Sequence, residues 1–195
     1  MIIQITIFMK ICSIGVEVFN FHYVRLETAP PVIKNTIFAI MYSQEEAKRL
    51  RKQFWTLFNQ RCELVPELKG RKKKWMLYDT KVRGIDLKFE AGRKAASVIL
   101  EVNVRSENKR LEIYEVLEKY KVILEDGFPE GLIWDYCFVR ESGAKVCRVY
   151  LSKEGLDIHR QNQWPDIYNF FIENMLILEN NFLGIRDILK DTLNI

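Results

Sequence analysis

Apolar side chains recur at Ala47, Leu50, Phe54, Leu57 and Phe58, the i, i+3, i+4 spacing of an amphipathic helix over 44–60. Ser43, with Glu46 three residues on, has the form of a capping box and predicts that this helix starts there. The apolar run Trp75, Met76, Leu77, Tyr78 predicts a strand over 74–79. Over 84–90, Ile85, Leu87 and Phe89 alternate with Asp86, Lys88 and Glu90. Over 97–105, Val98, Leu100, Val102 and Val104 alternate with Glu101, Asn103 and Arg105. Period two of this kind marks strands with one buried face. A helix over 107–125 follows, then strands over 131–140 and 145–151, hinged on Glu141-Ser142-Gly143-Ala144. Trp164-Pro165-Asp166 opens the last helix, and Ile167, Phe171, Met175, Leu178, Phe182, Ile185 and Leu189 keep a helical period almost to the end.

The order is α-β-β-β-α-β-β-α, an α+β fold. Three strands joined by short turns form an antiparallel meander, and the fourth arrives through a helix, so it can lie parallel to a neighbour. The expectation is a mixed, twisted sheet of about five strands flanked by helices. Its strand order is not determined by the pattern.

Residues 1–40 read differently. Met1 to Phe8 is apolar, but Lys10, Glu17 and Arg25 interrupt the stretch well short of the ~20 residues a membrane span requires. No basic segment precedes the run, and no small-residue cleavage site follows it. Residues 2–8 or 16–24 have the composition of edge strands. The expectation is a poorly ordered extension over 1–40, or a stretch ahead of a true initiator at Met41, and a single domain over 41–195.

Of the 195 residues, 48% are hydrophobic and 29% charged, with a net charge of +4. That excludes a disordered or multi-span membrane chain without requiring a polyanionic partner. Cys12, Cys62, Cys137 and Cys147 form no CxxC pair and no zinc set. Reduced thiols in a cytoplasmic protein follow, with Cys137 and Cys147 as small residues in the strands of a hairpin. His159 has no Ser or Cys placed to form a relay, and no Gly-rich phosphate loop precedes a helix.

Alternation also sets a register. If the apolar faces of the second and third strands coincide, Phe89 faces Val98, Leu87 faces Leu100 and Ile85 faces Val102. Asp86 then stands opposite Glu101, about 5 Å apart at Cβ. Two facing carboxylates repel unless water, Lys88 or Arg105 relieves them, or a divalent cation does. Oxygen ligands of this kind suit Mg²⁺, whose bound water can attack a phosphate. The other reading is a solvated sheet face laced with cross-strand ion pairs.

The α-β-β-β-α-β order, with Asp on the second strand and Glu-x-Asn on the third, resembles the PD-(D/E)XK nuclease superfamily. The resemblance implies a restriction-endonuclease-like core with Asp86 and Glu101 as metal ligands. Asn103 stands where the superfamily places a catalytic Lys, and Lys88, on the neighbouring strand, is the residue that stands in. On this reading Asn103→Lys raises cleavage. Lys69, Arg71, Lys72, Lys73 and Lys74, with Lys81 and Arg83 nearby and Trp75 and Tyr78 to stack on bases, form a candidate nucleic-acid contact.

The stretches MYSQEEAKRLRKQFW, CELVPELKGRKKKWMLYDTK, GIDLKFEAGR and GLIWDY, followed by the Trp164-Pro165 helix, resemble a bacterial family known as domain of unknown function 4268. The resemblance implies a cytosolic protein, sometimes attached to nuclease-type modules, with no established activity. Trp134 carries over as a family marker, in the core or as a lid over the sheet. Two functions stand side by side: a degenerate or weak Mg²⁺-dependent nuclease-like domain, and a non-catalytic interaction module, homodimeric through the apolar face of the C-terminal helix.

Overall fold

The computed structural model describes residues 2–6, 21–25, 31–71, 75 and 80–193. The chain divides into two compact units, Met1–Arg49 and Leu50–Ile195. In the first, β1 (Ile2–Thr6) pairs antiparallel with β2 (Phe21–Arg25), Ile2 opposite Arg25. Helix α1 spans Pro31–Glu63. Its start is a correction to the sequence reading, because Ser43 lies inside the helix rather than at its cap. Pro31 pre-sets the backbone angle of a first helical turn, and 32–42 holds neither Gly nor Pro to stop propagation.

The second unit contains β3 (Ile85–Ala91), β4 (Ala95–Val102), α2 (Glu107–Lys119), α3 (Lys121–Leu124), β5 (Ile133–Val139), β6 (Lys145–Glu154) and α4 (Trp164–Leu193). Ser106 caps α2 by accepting the Lys109 N–H. The helix expected over 107–125 breaks at Tyr120, whose φ of −106° leaves the helical region. Most of the strand expected over 74–79 lies outside the described residues; Trp75 is described and is buried.

The strand order is β3-β4-β6-β5, and every neighbouring pair is antiparallel. This corrects the expectation of a mixed sheet, since the described residues of this unit give four strands and no adjacent parallel pair; the further strand expected over 74–79 lies mostly outside the described residues. The crossover through α2 does return β5 in the direction of β4, since both run against β6. The hairpin strand β6 then inserts between them. Short-loop hairpin closure between β5 and β6 brings β6 to one side of β5, and that side is the one next to β4.

One sheet face carries Ile85, Leu87, Val98, Leu100, Val102 and Val149 into the core, against Ile113 and Leu117 of α2 and Phe171, Leu178 and Phe182 of α4. Phe54 and Phe58 of α1 pack on the same cluster, and Phe54 meets Trp164, Tyr168 and Phe171 ring to ring. Full burial of such side chains stabilises by about 1.5–3 kcal/mol each. The apolar stripe of α4, from Ile167 through Leu189, is therefore buried within its own unit. That removes the sequence-level ground for a homodimer through this helix. Among the described residues no helix is long and apolar enough to cross a membrane.

Candidate functional site

The register read from alternation is the one the structure has: Ile85 opposite Val102, Leu87 opposite Leu100, Phe89 opposite Val98, and so Asp86 opposite Glu101. The two carboxylates, with Lys88 and Asn103, share the sheet face turned away from the helices. Asn103 donates its side-chain amide to Asp86 Oδ2 at 2.5 Å. Lys88 Nζ lies 3.2 Å from Asp86 Oδ2 and 2.5 Å from Glu101 Oε1.

Two arginines that the sequence reading did not include complete the cluster. Arg148, on β6, is the direct cross-strand partner of Glu101, and its Nε donates to Glu101 Oε2 at 2.9 Å. Its Nη1 reaches Glu90 at 3.0 Å, and its guanidinium stacks 3.7 Å from the centre of the Phe138 ring. Arg140, just past β5, donates through Nη2 to Glu101 Oε1 and through Nε to Oε2 at 3.3 Å. Glu101 has no solvent exposure. Burial alone raises the pKa of its carboxyl, but the hydrogen bonds and charges of Arg140 and Lys88 overcome this and hold it below the usual carboxylate value.

A carboxylate has about four acceptor positions. Lys88 and Arg140 occupy those of Oε1, and Arg148 and Arg140 those of Oε2. Three acids (Asp86, Glu90, Glu101) meet three bases (Lys88, Arg140, Arg148), so the cluster is balanced in formal charge. The residues present do not fit a divalent cation. An incoming Mg²⁺ has to displace two guanidinium groups from a buried carboxylate while three cations stay beside it. Among the described residues no group of three or more His, Cys, Asp or Glu side chains is arranged to hold a metal.

The basic turn divides. Lys69 is exposed. Arg71 instead donates to Glu179 Oε1 at 2.7 Å, and Trp75 donates its indole N–H to Glu179 Oε2 at 2.9 Å. Glu179 is buried on α4, so this acid anchors the turn to the core. Lys72, Lys73 and Lys74 lie outside the described residues. The sequence carries a signal for Glu179: it is an acid on the buried stripe, four residues after Met175 and three before Phe182.

Trp134 is neither free nor a ligand platform. Its indole N–H donates to Glu125 Oε1 at 2.8 Å, its ring meets Tyr114 edge-on, and Lys121 lies 5.5 Å from the ring centre. Glu125 also accepts the Leu132 N–H at 3.1 Å, which ties the end of α3 to the start of β5. His159 Nδ1 lies 3.0 Å from Asp157 Oδ1 in the turn before α4.

A family model described as a domain of unknown function, DUF4268, matches residues 50–185, all inside the second unit. No curated protein and no solved structure matches the chain.

Proposed function

Because this chain belongs to the DUF4268 family, a domain of unknown function, we propose its role from the charge it displays: a module that holds nucleic acid without cutting it. The supporting observation is the concentration of cations. Between residues 69 and 83 stand Lys69, Arg71, Lys72, Lys73, Lys74, Lys81 and Arg83 against the single acid Asp79, in a chain whose net charge is only +4. The rest of the chain is therefore net acidic, and the segment is a local basic field of the kind that draws phosphate backbones. Its anchorage through Arg71 and Trp75 to Glu179 gives that segment a fixed starting point on the fold.

The Mg²⁺-dependent nuclease reading keeps one feature in its favour, the face-to-face register of Asp86 and Glu101. Against it stands the complete occupation of Glu101 by Lys88, Arg140 and Arg148. Lys88 serves here as a partner of both acids, not as a group held ready for a water nucleophile. The cluster works as a clasp between β3, β4 and β6.

The test is fluorescence anisotropy of labelled single- and double-stranded oligonucleotides across a salt series. Binding is expected to weaken steeply with salt. Changing Lys69, Lys72, Lys73 and Lys74 to Gln is expected to flatten the log–log slope by about one for each phosphate no longer neutralised. No binding at low salt, or a slope indifferent to the four changes, overturns the proposal.

A further inference from the structure

The β5–β6 pairing carries a bulge. Asp135 pairs with Arg148 and Phe138 with Val146, so Tyr136 and Cys137 together stand against Cys147. Cys147 turns toward the helix-covered face, as does its β4 partner Val102. Asp135 and Phe138 turn the other way, with Arg148 and Val146. Counting inward from either end of the bulge then puts both Tyr136 and Cys137 on the face of Cys147. Residues facing each other on neighbouring antiparallel strands have Cα atoms about 4.5–5.5 Å apart, inside the span a disulfide bridges. The Cys147 thiol also donates to Tyr136 O at 3.0 Å, which sets its sulfur against the peptide group leading into Cys137. Cys137 is exposed and Cys147 buried, and both are free thiols.

A second observation points to the same place. Arg110 is buried, its Nη1 donates to Val104 O at 3.1 Å, and its Nε has no hydrogen-bond partner. No carboxylate pairs with it among the described residues. Burial holds the Cys147 thiol above its ordinary value, and the charge and hydrogen bond of Arg110 offset only part of that rise. A buried guanidinium without an acid is costly, and a thiolate at Cys147 would neutralise it.

We propose that Cys137 and Cys147 form an oxidation site, in which a peroxide converts the two thiols to an intrachain disulfide across the bulge. In the first step the exposed Cys137 thiolate attacks the peroxide: an S–O bond forms, the O–O bond breaks, and the alcohol or water leaves with a proton. In the second, the Cys147 thiol gives up its proton, its developing charge facing Arg110, and its sulfur attacks the sulfenic sulfur. The S–S bond forms, the S–O bond breaks, and the departing hydroxide takes up a proton as water. Two thiols have lost two electrons and the peroxide has gained them. Arg110 acts as a positioning and charge-stabilising residue in the second step.

The experiment treats the full chain with hydrogen peroxide, alkylates the remaining thiols and maps the digest by mass spectrometry. Cys137 and Cys147 are expected to lose alkylation together and to appear as one linked peptide that dithiothreitol separates. Buried Cys62, whose pKa burial pushes up to about 11, is expected to stay alkylatable after unfolding. In Arg110→Lys, dimedone is expected to trap more Cys137 sulfenic acid than in wild type, because closure slows while first oxidation does not. The wild-type map decides the matter even if a Cys147 variant fails to fold. Cys137 oxidised to sulfinic acid or linked between chains, with Cys147 still a free thiol, overturns the proposal.

Discussion

Arg148 stands directly across the β4–β6 ladder from Glu101 and donates to it at 2.9 Å, so the acid that faces Asp86 on one side faces a guanidinium on the other. The middle strand of the cluster thus carries a carboxylate with cations from three other segments closing on it. Both charges are buried, and buried pairs are far more sensitive to the loss of one member than surface pairs are. Glu101→Gln removes the one buried carboxylate on which Lys88, Arg140 and Arg148 converge, and leaves Arg148 only the exposed Glu90. A loss of about 3 kcal/mol or more in unfolding free energy is expected from urea denaturation at neutral pH.

The same carboxyl sets an acid limb. Its folded pKa is depressed below the ordinary value of 4.5, so its contribution is fully present above that value and is lost as pH falls through the folded pKa. Wild type is expected to lose stability steeply below pH 4.5, and Glu101→Gln to show a shallower dependence over the same window. Denaturation midpoints at a series of acid pH values check this; parallel curves for the two proteins would refute the assignment.

Glu179 is expected to hold the basic turn to α4. Glu179→Ala leaves the buried Trp75 indole N–H without its acceptor and takes one acceptor from Arg71, with an expected cost of about 1–3 kcal/mol. Trp75 is the reporter. Comparing acrylamide quenching with and without a Trp75→Phe change isolates its signal, and its emission is expected to become quencher-accessible in the Ala variant.

Gly84 sits at φ +87°, and its carbonyl accepts the Asn103 N–H at 2.9 Å. A Cβ at this position would run into Val104 Cγ2, a short branched side chain with little room to move. Gly84→Ala combines left-handed backbone strain with overpacking, and a destabilisation of about 2–4 kcal/mol is expected in the same urea assay. Val104→Ala in that background is expected to recover the steric part alone.

Much of this cluster is legible along the chain, and what is not legible has a physical cause. Side chains alternate with period two in a strand, so the apolar faces of β3 and β4 have one register in which they coincide, and Asp86 opposite Glu101 follows. Nothing local reports which strand lies on the far side of β4. Arg148 belongs to the cluster only because β6 inserts there, and Arg140 only because the β5–β6 turn brings it back. The Ser43-Glu46 pair satisfies a capping pattern locally, yet the residues before it, weaker helix formers than those after it, hold neither Gly nor Pro to stop the helix, and α1 starts at Pro31. Tyr120 carries no Gly or Pro to announce the break between α2 and α3.

The last expectation concerns Mg²⁺ and cleavage. The nuclease resemblance places a Lys at 103 and makes Asn103→Lys an activating change. The structure argues the opposite. Asn103 bonds Asp86 at 2.5 Å, and Lys88 already lies 3.2 Å from the same oxygen, so a second ammonium there adds positive charge to a balanced set of three acids and three bases. A divalent ion raises it further, beside a carboxylate whose acceptor positions are filled. Isothermal titration with Mg²⁺ is therefore expected to give no saturable heat for wild type or Asn103→Lys, and neither protein is expected to cut a mixed DNA and RNA substrate. Arg140→Met, which removes a donor from each Glu101 oxygen, is the variant in which weak Mg²⁺ binding should first emerge. Saturable Mg²⁺ binding by wild type that disappears in Glu101→Gln would show that the cation displaces the guanidinium groups, and would restore Asp86 and Glu101 as a metal pair.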